Sequence, residues 1–277
     1  MLGVRVDAVQ IPQAITVLES WIEERGPARY VAVTGMHGIS VSREDAAFGD
    51  ILRHASLVVA DGMPLVWFLR LLGKRRTQRV YGPDLMRKMT AVSSQRGYRQ
   101  FYYGGAEGVA EKLKQVLVNA HPGLEVAGVL CPPFRELSLE EDQAIVEAIN
   151  AARPHIVWVG LSTPKQEFWM ARHLGRIEAP VIVGVGAAFD FLAGAKRQAP
   201  LWMQRNGLEW LFRLCSEPRR LWRRYAYIVP GFLFLSAGAV VRQAILYSVN
   251  APSRLRSDVT GAAADIPLET PSRDPME

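Results

Sequence analysis

Residues 155–169, HIVWVGLSTPKQEFW, join an apolar run to a helix-like segment through a turn of small residues. The run at residues 155–160 has the unbroken apolar character of a strand that is buried on both faces. Residues 165–174 have helical spacing, and Pro164 precedes them at a position that favours proline. A strand followed closely by a helix is the repeating unit of a parallel sheet, so this stretch predicts an α/β fold.

The same alternation recurs along most of the chain. Further apolar runs lie at residues 30–34, 57–60, 100–103, 124–130 and 181–185, and further helical spacing lies at residues 110–120 and 139–152. The N-terminal part adds a short strand at residues 4–6 and an amphipathic helix at residues 11–24. We therefore predict a mostly parallel, Rossmann-like sheet with helices on both faces.

The composition is that of a globular protein with a substantial core. The chain has 277 residues, of which 49% are hydrophobic, enough for one large α/β domain or two small ones. Its two cysteines, Cys131 and Cys215, together with a start that does not resemble a secretory signal, indicate buried thiols in a reducing cytoplasm.

Positive charge is concentrated towards the C-terminus. Residues 196–224 contain eight basic and two acidic residues, a surplus that equals the net charge of +6 of the whole chain. Three tryptophans lie in the same segment. This clustering predicts a polyanionic partner, which could be a nucleic acid, an anionic membrane surface or a pyrophosphate group.

An uncharged segment follows at residues 225–241, close to the minimum length of a membrane-spanning helix. Because Pro230 and Gly231 interrupt it, we predict monotopic or interfacial insertion rather than a full crossing. We divide the chain into an α/β core at residues 1–194, a basic, tryptophan-rich helical membrane-binding appendage at residues 195–248, and a disordered tail at residues 249–277.

Polar residues follow several of the predicted strands, where ligands of an open parallel sheet bind. Asp61 comes directly after the strand at residues 57–60, where partial burial would raise its pKa, and we predict that it is a catalytic base. The alternative is that Asp61 caps the helix that begins at Pro64. His37, in the predicted loop after residues 30–34, could donate to a phosphate or simply cap that loop.

Other strand ends carry turns of small residues. Backbone N–H groups in such turns, and at helix N-termini, can approach a phosphate or a sugar. Ser162 or Thr163 could cap the helix that follows, and Asp190 could bind a sugar hydroxyl or pair with Lys196 or Arg197. The candidates for ligand contact at these ends are Gly104, Gly105, Gly160, Pro164, Lys165, Gln166, Gly184, Gly186 and Asp190.

Motifs of several other chemistries are missing from the sequence. It contains no Asp-x-Asp motif, no His/Cys cluster at metal-ligand spacing and no G-x-x-x-x-G-K-[ST] loop, so we predict neither a bound metal nor a cofactor. GVGAAF at residues 184–189 only half matches a dinucleotide fingerprint and follows the last predicted strand rather than the first, which argues against a dehydrogenase.

Eight motifs in combination resemble one family, the bacterial WecG/TagA/CpsF glycosyltransferases, which build cell-envelope polysaccharides and wall teichoic acid linkage units. Each motif is weak alone, but together they are specific and cover residues 4–224. The motifs are VTGMHG (33–38), ADGMPLVW (60–67), QRVYGPDLM (78–86), YYGGAEG (102–108), PPF (132–134), VGLSTPKQEFW (159–169), GVGAAFDFLAGAKRQAPLWMQRNGLEWLFRL (184–214) and EPRRLWRRY (217–225).

The resemblance implies an inverting, metal-independent transfer of a sugar from a UDP-sugar to a lipid-linked acceptor, typically an undecaprenyl-diphosphate saccharide. The donor sugar stays open among N-acetylmannosamine, its uronic acid, glucuronic acid and glucose. The partners implied are the UDP-sugar, the polyprenyl-diphosphate acceptor and a membrane surface, with no nucleic acid, and a homo-oligomer is compatible with the sequence. The expected location is peripheral or monotopic, at the cytoplasmic face of the inner membrane.

The resemblance also implies residue roles. The aspartate of the family's ADG motif, its catalytic base, corresponds to Asp61, and the threonine of its T-x-N motif corresponds to Thr34. Met36 stands where the family has asparagine, and His37 could substitute for it. Gln166 matches the family's glutamine after PK, and the strand-end candidates match nucleotide-sugar contacts. The residues expected at the acceptor and its diphosphate are His37, Arg79, Arg213, Arg220, Arg223 and Arg224.

Two other classes of protein explain parts of the sequence. A nucleic-acid-binding module would explain the basic segment, but it leaves the strand-end residues and the uncharged segment unexplained. A non-catalytic membrane scaffold would explain the appendage alone. We therefore favour the glycosyltransferase.

Overall fold

The computed structural model describes residues 3–223, 225–231 and 237–238. Within them, six strands form one sheet, and every pair of neighbouring strands is parallel. The strands are β1 (Arg29–Thr34), β2 (Leu57–Ala60), β3 (Gln100–Gly104), β4 (Val126–Leu130), β5 (Ile156–Gly160) and β6 (Val181–Gly184). Their order across the sheet is β2-β1-β6-β5-β3-β4.

Helices connect the strands and continue beyond the last one. They are α1 (Ile11–Glu24), α2 (Met36–Glu44), α3 (Ala46–His54), α4 (Met63–Leu71), α5 (Gly82–Arg96), α6 (Val109–Ala120), α7 (Leu139–Ala151), α8 (Lys165–His173), α9 (Ala188–Leu192), α10 (Leu201–Arg205) and α11 (Glu209–Ser216). The backbone is also helical at residues 218–223 and 225–231. No helix in these described ranges is both long enough and apolar enough to cross a membrane.

Alternate residues of each strand pack into two separate cores. Val31 and Val33 of β1 face the core under α1, α5, α6 and α9, whereas Tyr30 and Ala32 face the core under α2, α3, α4, α7 and α8. Because both faces are covered, the strands read as continuous apolar runs rather than as an alternation of apolar and polar residues.

The predicted alternation of strands and helices is confirmed, and the sheet is wholly rather than mostly parallel. The strand predicted at residues 124–130 begins only at Val126. The strand predicted at residues 4–6 is wrong, since this segment makes only an isolated bridge from Asp7 to Val59. Side-chain hydrogen bonds join this segment to the chain around β2 in place of the backbone hydrogen bonds of a paired strand. Arg5 donates to Ser56 O at 3.0 Å, and Asp7 accepts from Val58 N at 2.9 Å.

The topology opens a crevice at the carboxyl edge of the sheet. After β1 and β5 the chain passes to the face that carries α2 and α8, whereas after β3 and β6 it passes to the face that carries α6 and α9. These four strands lie side by side, so their loops diverge and leave space between them. The predicted insertion at residues 225–241 lies partly, and the predicted tail at 249–277 wholly, outside the described residues.

Candidate active site

A cleft of about 1650 Å³ lies at this carboxyl edge. The ends of all six strands and several residues of the appendage line it. The lining residues include Asp61, Gly105, Gly160, Gln166 and Gly186 from the core, and Glu209, Arg213 and Arg220 from the appendage. The structure therefore brings most of the predicted strand-end residues and part of the basic segment to one space.

Asp61 sits where β2 ends and is partly buried. Its Oδ1 accepts a hydrogen bond of 3.2 Å from the N–H of Gly82, the first residue of α5. Its own N–H donates to Thr34 O at 2.8 Å, which ties the ends of β2 and β1 together. Gly62 is the N-cap of α4, so the alternative that Asp61 caps this helix is wrong.

The surroundings of Asp61 raise its pKa above the ordinary value of 3.8. Burial of the carboxylate is the largest cause, and the negative charge of Glu209 adds to it. Arg79, the hydrogen bond from Gly82 and Arg213 act in the opposite direction but do not cancel the effect of burial. Asp61 is therefore a stronger base than an exposed aspartate.

Arg79 links Asp61 to the appendage. Its Nε donates to the backbone carbonyl of Asp61, and its guanidinium lies 3.8 Å from the centre of the Tyr81 ring. The same guanidinium pairs with Glu209 of α11 at 2.5 Å, and only 14% and 15% of these two side chains are exposed. Tyr81 Oη also donates to Glu209 at 3.4 Å.

Glu209 and Tyr81 were not predicted from the sequence. The one available signal for Glu209 was that it is an acidic residue within a strongly basic segment. Nothing local to the sequence connects it with Arg79, which lies 130 positions earlier.

The glycines at the strand ends serve close packing. Gly104 has a φ of 110°, and a Cβ there would lie 2.9 Å from the carbonyl carbon of Gly160. A Cβ at Gly160 would lie 2.5 Å from the ring of Phe189. Gly105, Gly160 and Gly186 line the cleft, whereas Gly104 and Gly184 are not among the described residues that do so.

The backbone N–H groups of two of these turns are already hydrogen-bonded. Gly105 N donates to Gly160 O at 3.0 Å, and Gly186 N donates to Val159 O at 3.3 Å. In this structure these two N–H groups are therefore paired within the protein rather than free for the phosphate or sugar contact predicted for such turns. The two turns form part of the wall of the cleft, but the N–H groups of Gly105 and Gly186 do not point to it as free donors.

The start of α8 differs from the prediction. Pro164 is the N-cap and no side chain caps the helix, so the predicted cap by Ser162 or Thr163 is wrong. Thr163 Oγ1 instead donates to Glu167 Oε1 at 2.9 Å. Pro164, exposed Lys165 and buried Gln166 all line the cleft, as predicted for ligand-contact residues.

Thr34 and His37 lie at the end of β1. Thr34 is 2% exposed, and its Oγ1 has no hydrogen-bond partner in the described part of the chain. A Cβ at Gly38 would lie 2.0 Å from that oxygen, so only glycine fits beside it. His37 lines the cleft, but it belongs to the first turn of α2 rather than to a loop. Met36 lines the cleft beside it.

The remaining predicted residues lie near the appendage. Of the two alternatives for Asp190, the structure contains the ion pair, with Lys196 Nζ at 3.2 Å from Asp190 and 3.4 Å from Glu217. Arg213 lies over the ring of Phe191 and Arg220 pairs with Glu217.

Arg223 is exposed over the ring of Trp222 and is not among the described cleft-lining residues. Arg224 lies outside the described residues. Across the described ranges, no three His, Cys, Asp or Glu side chains group so that they could hold a metal ion.

The family model of the Glycosyl transferase WecG/TagA/CpsF family matches residues 1–246. The chain belongs to this family. The match includes every residue of the cleft described above, so the WecG/TagA/CpsF region comprises both the core and the described part of the appendage.

Three relatives of this WecG/TagA/CpsF chain are each named N-acetylglucosaminyldiphosphoundecaprenol N-acetyl-beta-D-mannosaminyltransferase. The Bacillus spizizenii protein is 31% identical over 174 residues, which span 63% of this chain and 65% of that protein. The Bacillus subtilis protein is 28% identical over 65% of this chain and 68% of its own length. The Staphylococcus aureus protein is 26% identical over 86% of this chain and 92% of its own length.

Proposed function

We propose that the chain transfers a sugar from a UDP-sugar to a saccharide on polyprenyl diphosphate, in the synthesis of an exopolysaccharide or a cell-wall polymer. The names of the three relatives support this proposal, because each describes N-acetylmannosaminyl transfer to an acceptor on diphosphoundecaprenol. An N-acetylmannosamine-type sugar is therefore the first donor to test, followed by its uronic acid, glucuronic acid and glucose.

The observation that carries the proposal is the position of Asp61. It lines the same cleft as Gln166 and as Arg213 and Arg220 of the appendage. A carboxylate with a raised pKa suits a general base, and guanidinium groups suit a diphosphate, to which they donate forked hydrogen bonds. Asp61, which suits a general base, and two arginines that suit a departing diphosphate thus line the same cleft.

In the proposed reaction, Asp61 accepts the proton of the acceptor hydroxyl as the hydroxyl oxygen attacks the anomeric carbon of the donor. The bond between that carbon and the diphosphate oxygen breaks, and UDP leaves from the opposite face, so the configuration inverts. Arg213 and Arg220 balance the charge that develops on the diphosphate. With these cations supplied by the chain, we propose that the transfer needs no metal ion.

The test is a panel of UDP-sugars incubated with the protein and a polyprenyl-diphosphate saccharide, with products read by mass spectrometry. We expect one donor to be transferred with inversion, as read from the one-bond carbon–proton coupling at the new anomeric centre, and to be transferred equally well in EDTA. Asp61→Asn should lower kcat by about 100-fold or more, because a general base contributes about that much. Near-normal turnover of a folded Asp61→Asn protein would contradict the role of Asp61.

We also propose that the protein is peripheral, at the cytoplasmic face of the membrane, with the appendage against the lipid. Trp202 and Trp222 of the appendage are 60% and 53% exposed, and tryptophan favours the headgroup region. Replacing both with alanine should reduce co-flotation with anionic vesicles severalfold. Phe134→Ala is the control, because Phe134 is an even more exposed aromatic residue, at 84%, and lies outside the appendage. Equal co-flotation of wild type, the double tryptophan variant and Phe134→Ala would exclude Trp202 and Trp222 as membrane contacts.

A further inference from the structure

The side-chain oxygen of Gln166 accepts no hydrogen bond from the described part of the protein. The residue is 2% exposed and lines the cleft. Its Nε2 donates to Glu167 Oε1 at 3.1 Å, while its Oε1 has no hydrogen-bond partner in the described part of the chain. Buried polar atoms are nearly always paired, so this acceptor indicates that a donor arrives from outside the described structure.

Glu167 determines which way the Gln166 amide faces. It is fully buried, and its Oε1 accepts from both Thr163 Oγ1 and Gln166 Nε2. Burial raises the pKa of Glu167, and its Oε2 has no partner among the described residues. Oε1 accepts from both groups in the ionised carboxylate, and a proton on the unpartnered Oε2 would leave that role unchanged. Only the NH₂ group of Gln166 can face an acceptor, which turns its oxygen the other way.

The Oε1 atom of Gln166 lies against the turn that follows β6. A Cβ at Gly186 would lie 3.5 Å from Gln166 Oε1, and a Cβ at Gly184 would lie 3.1 Å from Gln166 Nε2. The two glycines leave room for the amide at the wall of the cleft. Gly186 itself lines the cleft, so the Gln166 oxygen borders ligand space.

We infer that Glu167 is a positioning residue that holds Gln166 with its oxygen as an acceptor, so that the cleft selects an N–H or O–H group of the ligand at this point. The identity of that ligand rests on the proposed function. In a UDP-sugar, the group is the imide N–H of uracil, a hydroxyl of ribose, or a hydroxyl or acetamido N–H of the transferred sugar. The orientation of the amide does not depend on the proposed function.

The orientation is tested by NMR of the Gln166 side-chain amide, assigned by its loss in Gln166→Leu. Wild type and Glu167→Gln should both show slowly exchanging Nε2 protons, because the carbonyl of glutamine can replace Oε1. Glu167→Leu, of similar volume but without an acceptor, should lose that protection. Unchanged amide protons in Glu167→Leu would overturn the inference whatever the activity of the protein.

The consequence for the ligand is tested with the donor identified by the UDP-sugar panel. Glu167→Leu should raise KM for the donor about tenfold and add nothing in the Gln166→Leu background, because both changes remove one interaction. Glu167→Gln should stay within about twofold of wild type. A wild-type KM in Glu167→Leu, an equal defect in Glu167→Gln, or additive losses would overturn the inference and leave the proposed function intact.

Calorimetric binding separates the two sources of the donor group. Weaker binding of UDP alone to Glu167→Leu assigns the contact to the uridine, either its uracil or its ribose, and weaker binding of the UDP-sugar with unchanged UDP assigns it to the transferred sugar. Unchanged binding of both ligands overturns the inference. A wild-type protein that neither binds nor transfers any UDP-sugar contradicts the proposed function instead, while the amide NMR still decides the orientation of Gln166. Thermal unfolding confirms that each variant is folded.

Discussion

Groups in three separate parts of the fold together set the pKa of Asp61. Burial at the end of β2 raises its pKa, Glu209 of α11 raises it further, and Arg79 and Arg213 oppose them. Of the two appendage residues, Glu209 raises the pKa of Asp61 and Arg213 lowers it. Removing one or the other should therefore shift that pKa in opposite directions.

Glu209→Gln should shift the acidic limb of the kcat/KM profile to lower pH. The substitution removes a charge that raises the pKa of Asp61 and leaves the charge of Arg79 no longer neutralised by Glu209, and both effects lower that pKa. Because only the ionised base accepts a proton, activity then persists to lower pH.

Arg213→Gln should shift the same limb to higher pH, since it removes a cation that lowers the pKa of Asp61. The measurement is kcat/KM against pH for both variants and wild type. Lys165→Gln is the control, because Lys165 lines the cleft but is not among the groups that shift the pKa of Asp61. A shift in the same direction for both test variants would contradict the assignment.

The position of a candidate residue at the carboxyl edge could be predicted where a single strand end fixes it. Asp61 follows β2 directly, so its place at the carboxyl edge could be predicted from the strand alone. Glu209 could not be found this way, because its role depends on how α11 returns to Arg79 across 130 positions. That the Gly105 and Gly186 amides are paired within the protein could not be predicted, because their carbonyl partners belong to β5, which lies far away in sequence for Gly105.

At the scale of elements, the turn between α10 and α11 is held against α4. Gly207 has a φ of 66°, and a Cβ there would lie 2.6 Å from the Trp67 ring and 3.4 Å from Met63 Cβ. The helix that carries Glu209 therefore approaches the core at a point where only glycine fits. The position of the appendage over the cleft depends on this contact.

Gly207→Ala should displace α11 as well as destabilise the fold. A left-handed backbone costs an L-residue about 1–2 kcal/mol, and the overlap with Trp67 adds to that. Gly194→Ala is the matched control, since Gly194 has a φ of 70° and no atom within 4 Å of its Cβ position. Urea unfolding and hydrogen exchange in α11 are the measurements. Equal loss of protection in both variants would exclude a role for the Trp67 contact.

The helices α2 and α3, between β1 and β2, were not predicted from the sequence. Both α2 and α3 are nine residues long, and they contain Gly38 and Gly49, which disfavour helix. They form because Ile39 and Phe48 pack onto the sheet. At the start of α5, the N–H of Gly82 is satisfied by Asp61 rather than by a residue nearby in sequence.

At the scale of the whole molecule, two carboxylates, partly buried Asp61 and fully buried Glu167, reduce stability. The pKa values of both Asp61 and Glu167 are raised in the folded protein. The folded state then binds more protons than the unfolded state between the two pKa values of each group. Stability is highest below the unfolded pKa and is lost as pH rises through the folded pKa.

Asp61→Asn should therefore be at least as stable as wild type at neutral pH. The difference in Tm should grow as pH rises above 3.8, the ordinary pKa of aspartate, and vanish below it. Calorimetry of both proteins across this range is the measurement. A neutral-pH Tm for Asp61→Asn below that of wild type would contradict the sign of the shift.

Arg213 lies in the cleft and also lowers the pKa of Asp61, which couples ligand binding to protonation. A diphosphate that engages Arg213 neutralises part of this influence, so the affinity of Asp61 for a proton increases as the anion arrives. Linkage requires the reverse as well, so acidification should tighten the complex with the nucleotide. Binding of UDP would then draw a fraction of a proton from the buffer, and the heat of association would vary with the ionisation enthalpy of the buffer used.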